Sequence, residues 1–284
     1  MPSFEDTYTE NMQRDSAEAQ RLDEQFDILT ENIGYLLHPS VQAKMHPRAR
    51  VADIATGTAA FLRDLAYDWP EAVLHGFDIS TSLYPDASLL PRNVNLYLLD
   101  IRNEVPNHLI GRYDIVHIQL IGAGLKASEW PCVARNLALL LKPGGAMQWT
   151  ECDFNNVRHL RSGPDSTIDT ASAMGAMFMS AMKPHFESGW NRLATEIRNA
   201  GSVDIYTEAF AADRVHETRA RLTANGMAMM FAWARIHSAR GSDGALTMEH
   251  LENLEQKAYA DIQSGCYVTF DIHVAWGFLP EKQL

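Results

Sequence analysis

The sequence contains few cysteines, and they are widely spaced. Cys132, Cys152 and Cys266 are isolated, and the sequence contains neither a Cys-x-x-Cys nor a His-x-x-x-His ligand set, which argues against a structural zinc site. We therefore expect no metal in this protein. A sparse, odd number of cysteines is typical of a reducing compartment, so the sequence favours a cytoplasmic protein.

Long apolar runs and clusters of basic residues are also missing. No stretch reaches the roughly 18 apolar residues that suggest a membrane span. The N-terminus lacks the basic and apolar regions of a secretory signal. The net charge of −12 opposes binding to nucleic acid or to an anionic membrane, because phosphate contacts need clustered Lys and Arg. Neither partner is expected.

The segment from Val51 to Phe61 combines an apolar run, an acid, a turn of small residues and a helical pattern. Asp53 lies within the end of the apolar run, and Gly57 lies in the middle of the turn. Small residues allow a ligand to approach the backbone, and the following helix offers free N–H groups at its first turn. The segment predicts a strand–turn–helix unit that holds a nucleotide-like cofactor.

Two further acids end apolar runs that follow this turn. Asp78 ends the run 72–78 and comes 21 residues after Gly57. A carboxylate at this distance can accept hydrogen bonds from both hydroxyls of an adenosine ribose. Asp100 ends the run 94–100 in the same way. Three strands that each end in an acid are more specific than the turn alone.

With these residues the chain resembles the class I S-adenosylmethionine-dependent methyltransferases. Their acid-x-Gly-x-Gly-x-Gly pattern reads Asp53-Ile54-Ala55-Thr56-Gly57-Thr58-Ala59 here, so only the middle glycine is kept. The run 113–119 resembles strand 4 of the family, and 141–151 resembles its Leu-Lys-Pro-Gly-Gly turn and strand 5. The Gln148-Trp149 pair and the segment 21–25 are similar to fungal methyltransferases of secondary metabolism, which include methyltransferase-like pericyclases.

The resemblance implies S-adenosylmethionine as cofactor, with S-adenosylhomocysteine as product. It implies that Asp78 binds the ribose, Asp100 the adenine amino group, and that Ile101 packs on the adenine ring. A solvated strand end and a turn acid are the alternatives for the two carboxylates. The predicted cofactor-binding residues are Asp53, Ala55, Thr56, Gly57, Thr58, Asp78, Ile79, Asp100, Ile101 and Gln119.

Two interpretations exist for the alanines that replace glycines in the turn. If Ala55 and Ala59 have negative φ, alanine costs nothing there. If φ is positive, each alanine costs about 1 kcal/mol and the turn binds the cofactor less well. The first interpretation is favoured.

His117 and Glu151 are candidate catalytic residues, since both lie in strands whose ends approach the cofactor in this family. A histidine packed in the core and a salt-bridging acid are the alternatives. Methionines and aromatics at helical spacing after residue 165 predict either core packing or a wall for an apolar substrate. The candidate substrate-binding residues are Trp149, Met174, Phe178, Met230 and Trp233.

The predicted fold is α/β, a Rossmann-like doubly wound seven-stranded sheet with an N-terminal helical extension and helical lid insertions. We divide the chain into an N-terminal helical cap (1–47), a cofactor-binding Rossmann-like core (48–155) and the remainder of the sheet with inserted substrate-binding helices (156–284). A helix is expected over 17–38, a short one with Ser40 as N-cap, and an antiparallel last strand over 266–278.

The predicted function is methyl transfer to an O, N, S or C nucleophile of a small, largely apolar secondary metabolite. One alternative is a cyclase or pericyclase that uses the cofactor without methyl transfer. Another is a non-catalytic methyltransferase-like regulator. A nicotinamide dehydrogenase is the weakest alternative. It rests on Ala55-x-Gly57-x-x-Ala60, which partly matches the dinucleotide-binding fingerprint. A homodimer remains possible on the sequence.

Overall fold

The computed structural model describes residues 11–186 and 189–281. These residues divide into two compact units, each assembled from separate segments of the chain. The sheet unit comprises residues 34–152, 189–209 and 272–281, and the helical unit comprises residues 11–33, 153–186 and 210–271.

The helices and strands alternate through the first half of the chain, as the sequence predicts. The principal helices are α1 (Ser16–Ile33), α2 (Pro39–Gln42), α3 (Ala60–Asp68), α4 (Trp130–Leu140), α5 (Asp169–Phe186), α6 (Leu193–Asn199), α7 (Arg219–Ala239) and α8 (Met248–Ser264). The strands are β1 (Arg50–Ile54), β2 (Val73–Asp78), β3 (Val94–Leu98), β4 (Tyr113–Gln119), β5 (Leu141–Cys152), β6 (Arg158–Arg161), β7 (Val203–Ala211), β8 (Cys266–Thr269) and β9 (Asp271–Phe278).

Seven strands form one sheet in the order β3-β2-β1-β4-β5-β9-β7. The pairs β1–β2, β2–β3, β1–β4 and β4–β5 are parallel, whereas β9 runs antiparallel to β5. The order reverses beside β1, and doubly wound sheets bind ligands at such a switch point. The predicted Rossmann-like fold is confirmed.

The core of the sheet unit lies between the central strands and the helix α4. Trp130 of α4 stacks on Trp149 of β5, with ring centroids 5.1 Å apart. Both rings are fully buried, as are Leu137 and Leu140 on the same helix. Burial of such side chains stabilises a fold by about 2 kcal/mol each, so this layer holds α4 firmly against β4 and β5.

The helical unit packs α5, α7 and α8 around a methionine-rich cluster. Met174 and Phe178 of α5 are buried together with Met230 and Trp233 of α7. The helix α1 joins the same unit, where the Arg21 guanidinium bonds Glu18 and Asn225. A separate two-stranded antiparallel sheet, β6–β8, completes it. No helix in the described part of the chain is long and apolar enough to cross a membrane.

Three predicted boundaries are wrong. The helix predicted over 17–38 ends at Ile33, where Gly34 follows with φ 92°. The N-cap of α2 is His38 rather than Ser40, because the His38 Nδ1 accepts a hydrogen bond from the Ser40 amide. The strand predicted over 266–278 breaks at Phe270. The Val268 amide donates to Thr223 Oγ1 at 3.0 Å and Ala212 donates to the Phe270 carbonyl at 2.9 Å, so this backbone bonds outside the main sheet.

Candidate cofactor site

The turn between β1 and α3 contains three residues in the left-handed region. Ala55 has φ 59°, Gly57 has φ 52° and Ala59 has φ 61°. The favoured interpretation, that the two alanines have negative φ, is therefore wrong. The turn keeps the backbone shape that glycines normally supply, and each alanine carries steric strain of about 1 kcal/mol or more.

Hydrogen bonds hold this strained turn in place. The Thr56 amide donates to the Phe77 carbonyl of β2 at 3.0 Å, and the Thr56 hydroxyl donates to Asp53 Oδ2 at 2.6 Å. Close packing against β2 is possible because residue 76 is glycine. A Cβ at Gly76 would lie 2.8 Å from Thr56 Oγ1 and 2.6 Å from a Leu96 methyl.

Asp78 links the end of β2 to the turn. Its Oδ2 accepts from the Gly57 amide at 3.0 Å, and its Oδ1 accepts from the Ser80 amide at 3.1 Å. These two amides fix the orientation of the Asp78 carboxylate at the end of β2. Ile79 follows and is half-buried. The predicted acid and the predicted glycine are thus brought into direct contact.

The space over the turn fits a cofactor. A Cβ built on Gly57 would meet no atom within 4 Å, so this backbone faces open space. The flanking Thr58 is buried. Open backbone beside an anchored carboxylate matches what an adenosine-bearing cofactor requires.

Asp100 is engaged by its own neighbours. Arg102 donates from Nε to Asp100 Oδ1 and from Nη2 to Oδ2, both at 2.9 Å. Asn103 Nδ2 also donates to Oδ2, at 3.0 Å. Ile101 is 5% exposed and belongs to the core cluster of the sheet unit. Adenine contacts by Asp100 and Ile101 stay a prediction, and an adenine amino group would share this carboxylate with Arg102.

His117 lies in the interior of the sheet unit. Its Nδ1 is 2.8 Å from Asp53 Oδ1, and its ring stacks on Phe61 of α3 with centroids 3.7 Å apart. Only 2% of His117 is exposed. Asp53 and His117 are register partners in β1 and β4, a pairing that sequence reasoning missed. The contacts indicate a residue that positions Asp53, and a direct catalytic role stays a prediction.

Glu151 is buried and bound to the loop after β4. Its Oε1 accepts from the Gly122 amide and from Trp149 Nε1, each at 3.0 Å. Burial raises the pKa of Glu151 to about 7, although these donors lower it. The loop begins at Leu120, which has φ 55°. Glu151 therefore shapes this loop, and its predicted role as a base stays untested.

The other predicted residues fall into two groups. Gln119 ends β4 half-buried and lies opposite Thr150 of β5. The ring of Trp149 is fully buried, so contact with a substrate requires its neighbours to move. The remaining substrate candidates are brought together in the buried cluster of the helical unit, namely Met174, Phe178, Met230 and Trp233.

Sequence reasoning also missed the role of Gln148. Its Oε1 accepts from the His38 amide at 2.7 Å, and its Nε2 donates to the Leu36 carbonyl at 2.9 Å. The His38 ring stacks on Trp276 at 3.7 Å. The available signal was an amide side chain between two apolar residues, Met147 and Trp149, in the run that predicts β5. Gln148 anchors the segment before α2 to the sheet.

Comparison with solved structures agrees with this fold. The [4+2]-cyclase SpnF superposes with a TM-score of 0.50 at 14% identity, covering 93% of this chain and 95% of that one. At this identity the likeness shows the fold alone. The sheet order and the β1–α3 turn thus define a protein of the class I methyltransferase fold.

The proteins that this chain resembles in sequence come from fungi. Methyltransferase grgD of a Penicillium species is 33% identical over 145 residues, which is 48% of this chain and 50% of that protein. N-methyltransferase sirN of Leptosphaeria maculans is 25% identical over 277 residues, 94% of this chain and 93% of its own. The secondary metabolism regulator laeA of Coprinopsis cinerea is 31% identical over 106 residues, 37% of this chain and 25% of that protein.

The match to grgD spans only half the length of that relative. No protein-family profile matches the sequence. The resemblance inferred from the sequence, to fungal methyltransferases of secondary metabolism, is nevertheless confirmed by these relatives.

Proposed function

We propose that this protein binds S-adenosylmethionine and transfers its methyl group to a small, largely apolar metabolite. The observation that carries the proposal is the Gly57 turn, whose open backbone is hydrogen-bonded to the Asp78 carboxylate. Three left-handed residues preserve this turn even where alanine replaces glycine. A strained shape retained at the switch point of a doubly wound sheet supports a binding role.

The residues around the turn have distinct parts in this proposal. Asp78 binds the ribose hydroxyls, and the Gly57 amide fixes the orientation of that carboxylate. Asp53 joins the turn to β4, since it accepts from Thr56 and contacts His117. The bound cofactor would supply a methyl group on a sulfonium, already activated for in-line displacement. The protein then contributes mainly proximity and orientation.

A nitrogen acceptor is favoured among the possible nucleophiles. The relative sirN, which matches nearly the whole chain, is named as an N-methyltransferase. A protonated amine must lose a proton before it can attack, so a nearby acceptor for that proton would raise the rate. Methyl transfer to nitrogen is the function that this site supports best.

The test supplies methyl-labelled S-adenosylmethionine to the purified chain together with a panel of apolar amines. Label should appear in an organic extract, with one S-adenosylhomocysteine formed per methylated product. Asp78→Asn should lower the rate at limiting cofactor, because the ribose contact loses its charge. Asp86→Asn, an exposed acid in a nearby loop, serves as the matched control.

Two other outcomes would redirect the assignment. A converted product without S-adenosylhomocysteine would support the cyclisation alternative, in which the cofactor acts only as a fixed charge. No turnover of any amine, together with a stable protein complex, would favour a regulatory role. Either result contradicts methyl transfer to nitrogen as the function.

A further inference from the structure

The carboxylate of Asp153 is buried and only half satisfied. Asp153 directly follows β5 and is 5% exposed. Its Oδ2 accepts a hydrogen bond from Asn156 Nδ2 at 2.6 Å. Its Oδ1 has no hydrogen-bond partner among the residues that the structure describes. A buried carboxylate oxygen without a donor is costly, so such a group calls for an explanation, and a functional role is one of them.

Aromatic rings continue from this carboxylate through the helical unit. Phe154, the next residue, lies 5.2 Å from both Phe186 and Phe270, measured between ring centroids. Phe186 is 6.3 Å from Phe178, which in turn is 5.4 Å from Trp233. Phe154 and Phe186 are half-buried residues. Five rings thus form one continuous row, which includes the ring of the residue that follows Asp153.

A buried carboxylate whose next residue belongs to a row of aromatic rings favours a definite class of ligand. The free oxygen accepts a hydrogen bond from an N–H group, most strongly from a charged one. Ring faces attract cations through their negative quadrupole and also cover flat apolar groups. An amine attached to an aromatic or similarly apolar body satisfies both features at once.

We propose that Asp153, Phe154 and Phe186 form a binding subsite for the amine of an apolar substrate. Asp153 Oδ1 accepts from the substrate N–H, while the two rings contact the apolar body. Asn156 holds the other carboxylate oxygen and so fixes the direction of Oδ1. The inference rests on the proposed function, since it describes the acceptor in the same reaction.

Binding of two matched probes tests the subsite. Tryptamine carries an amine on an indole, and 3-ethylindole has nearly the same shape without the amine. The wild-type chain should bind tryptamine at least about tenfold more tightly, the scale of a hydrogen bond to a charged group. Asp153→Asn should remove this difference without weakening 3-ethylindole. Asp165→Asn, an exposed acid of the same unit, should leave it intact.

The melting temperature without any probe separates a ligand-binding role from a structural one. Asp153→Asn keeps an oxygen for Asn156 and replaces the unpaired carboxylate oxygen with an uncharged NH₂ group. If Asp153 serves a ligand, the variant should melt higher, by on the order of 2 °C. If Asp153 serves only the turn at Asn156, the variant should melt lower and bind tryptamine as the wild type does.

Three results would overturn the subsite: equal affinity for the two probes, no tryptamine binding by the wild type, or a lower melting temperature with unchanged tryptamine affinity. Titration with S-adenosylmethionine keeps the two proposals separate. Asp153→Asn should bind the cofactor normally. Absent cofactor binding in every variant would contradict the proposed function, while the probe comparison would still decide the role of Asp153.

Discussion

Single residues in the cofactor turn carry strain that glycine would relieve. Ala55 and Ala59 share the left-handed conformation, but they differ in burial. Ala59 is fully buried, so removal of its methyl group loses about 0.8 kcal/mol of burial and offsets the relief of strain. Ala55 is half-exposed and loses less. Strain and burial therefore separate two substitutions that look identical in the sequence.

Ala55→Gly should stabilise the protein by about 0.5–1 kcal/mol, because relief of the positive φ exceeds the added entropy of the unfolded chain. The urea midpoint measures the change at constant slope. Ala66→Gly, within α3, is the matched control and should cost about 1 kcal/mol. A destabilised Ala55→Gly variant would contradict the left-handed turn.

Glu151 should make stability depend on pH. Burial raises its pKa from 4.5 to about 7, so the folded chain holds a proton that the unfolded chain has released. The contribution of Glu151 to the free energy of unfolding is therefore most favourable below pH 4.5. It decreases as the pH rises from 4.5 towards 7, by roughly 3 kcal/mol at most.

Glu151→Gln should abolish this dependence, so its stability relative to wild type should rise across that interval. Urea unfolding at about pH 5 and about pH 8 measures the difference. Glu71→Gln removes an exposed carboxylate and is the control. A relative stability of Glu151→Gln that falls with pH would show that the loop donors, rather than burial, govern this group.

At the scale of elements, the spacing of apolar residues predicted which helices and strands exist better than it predicted where they begin and end. The spacing of Leu22, Phe26 and Leu29 predicted α1, and Gly34 with φ 92° ends it before the predicted His38. The strand β6 escaped prediction because three of its four residues, Arg158–Arg161, are polar and because, among the described strands, it pairs with β8. Such pairing depends on distant segments, which local patterns do not contain.

The helix α5 is capped by a side chain from another helix. Asp261 Oδ2 accepts from the Thr170 amide at 2.8 Å and from the Ala171 amide at 3.0 Å. Its Oδ1 accepts from the Thr167 hydroxyl. Asp261 lies some ninety residues after Asp169, the first residue of α5. No local sequence pattern therefore predicts this cap. It fixes the start of α5 against α8.

Asp261→Ala should destabilise the protein by about 1–3 kcal/mol, since one buried and one half-buried amide at the helix start lose their acceptor. Hydrogen exchange should accelerate first at the N-terminal turn of α5. Asp243→Ala, an exposed acid in the loop between α7 and α8, should change neither property. Unchanged exchange in Asp261→Ala would mean that α5 begins without this cap.

At the scale of the whole molecule, the sequence predicted the sheet and the cofactor turn because both follow from local patterns. Acids at strand ends and small residues in one turn identified the fold class, which the strand order confirms. The contact between His117 and Asp53 required strand register. The unpaired oxygen of Asp153 required a complete account of buried donors and acceptors. The sequence therefore did not predict the roles of residues that depend on contacts with distant segments of the chain.

The central claim is that the Gly57 turn and Asp78 bind S-adenosylmethionine. Calorimetric titration of the cofactor into wild type, Asp78→Asn and the control Asp86→Asn tests it most directly. We predict binding by wild type and control, with at least about tenfold weaker binding by Asp78→Asn, the scale of a hydrogen bond to a charged group. Equal affinity in all three, or no binding by the wild type, would contradict the account.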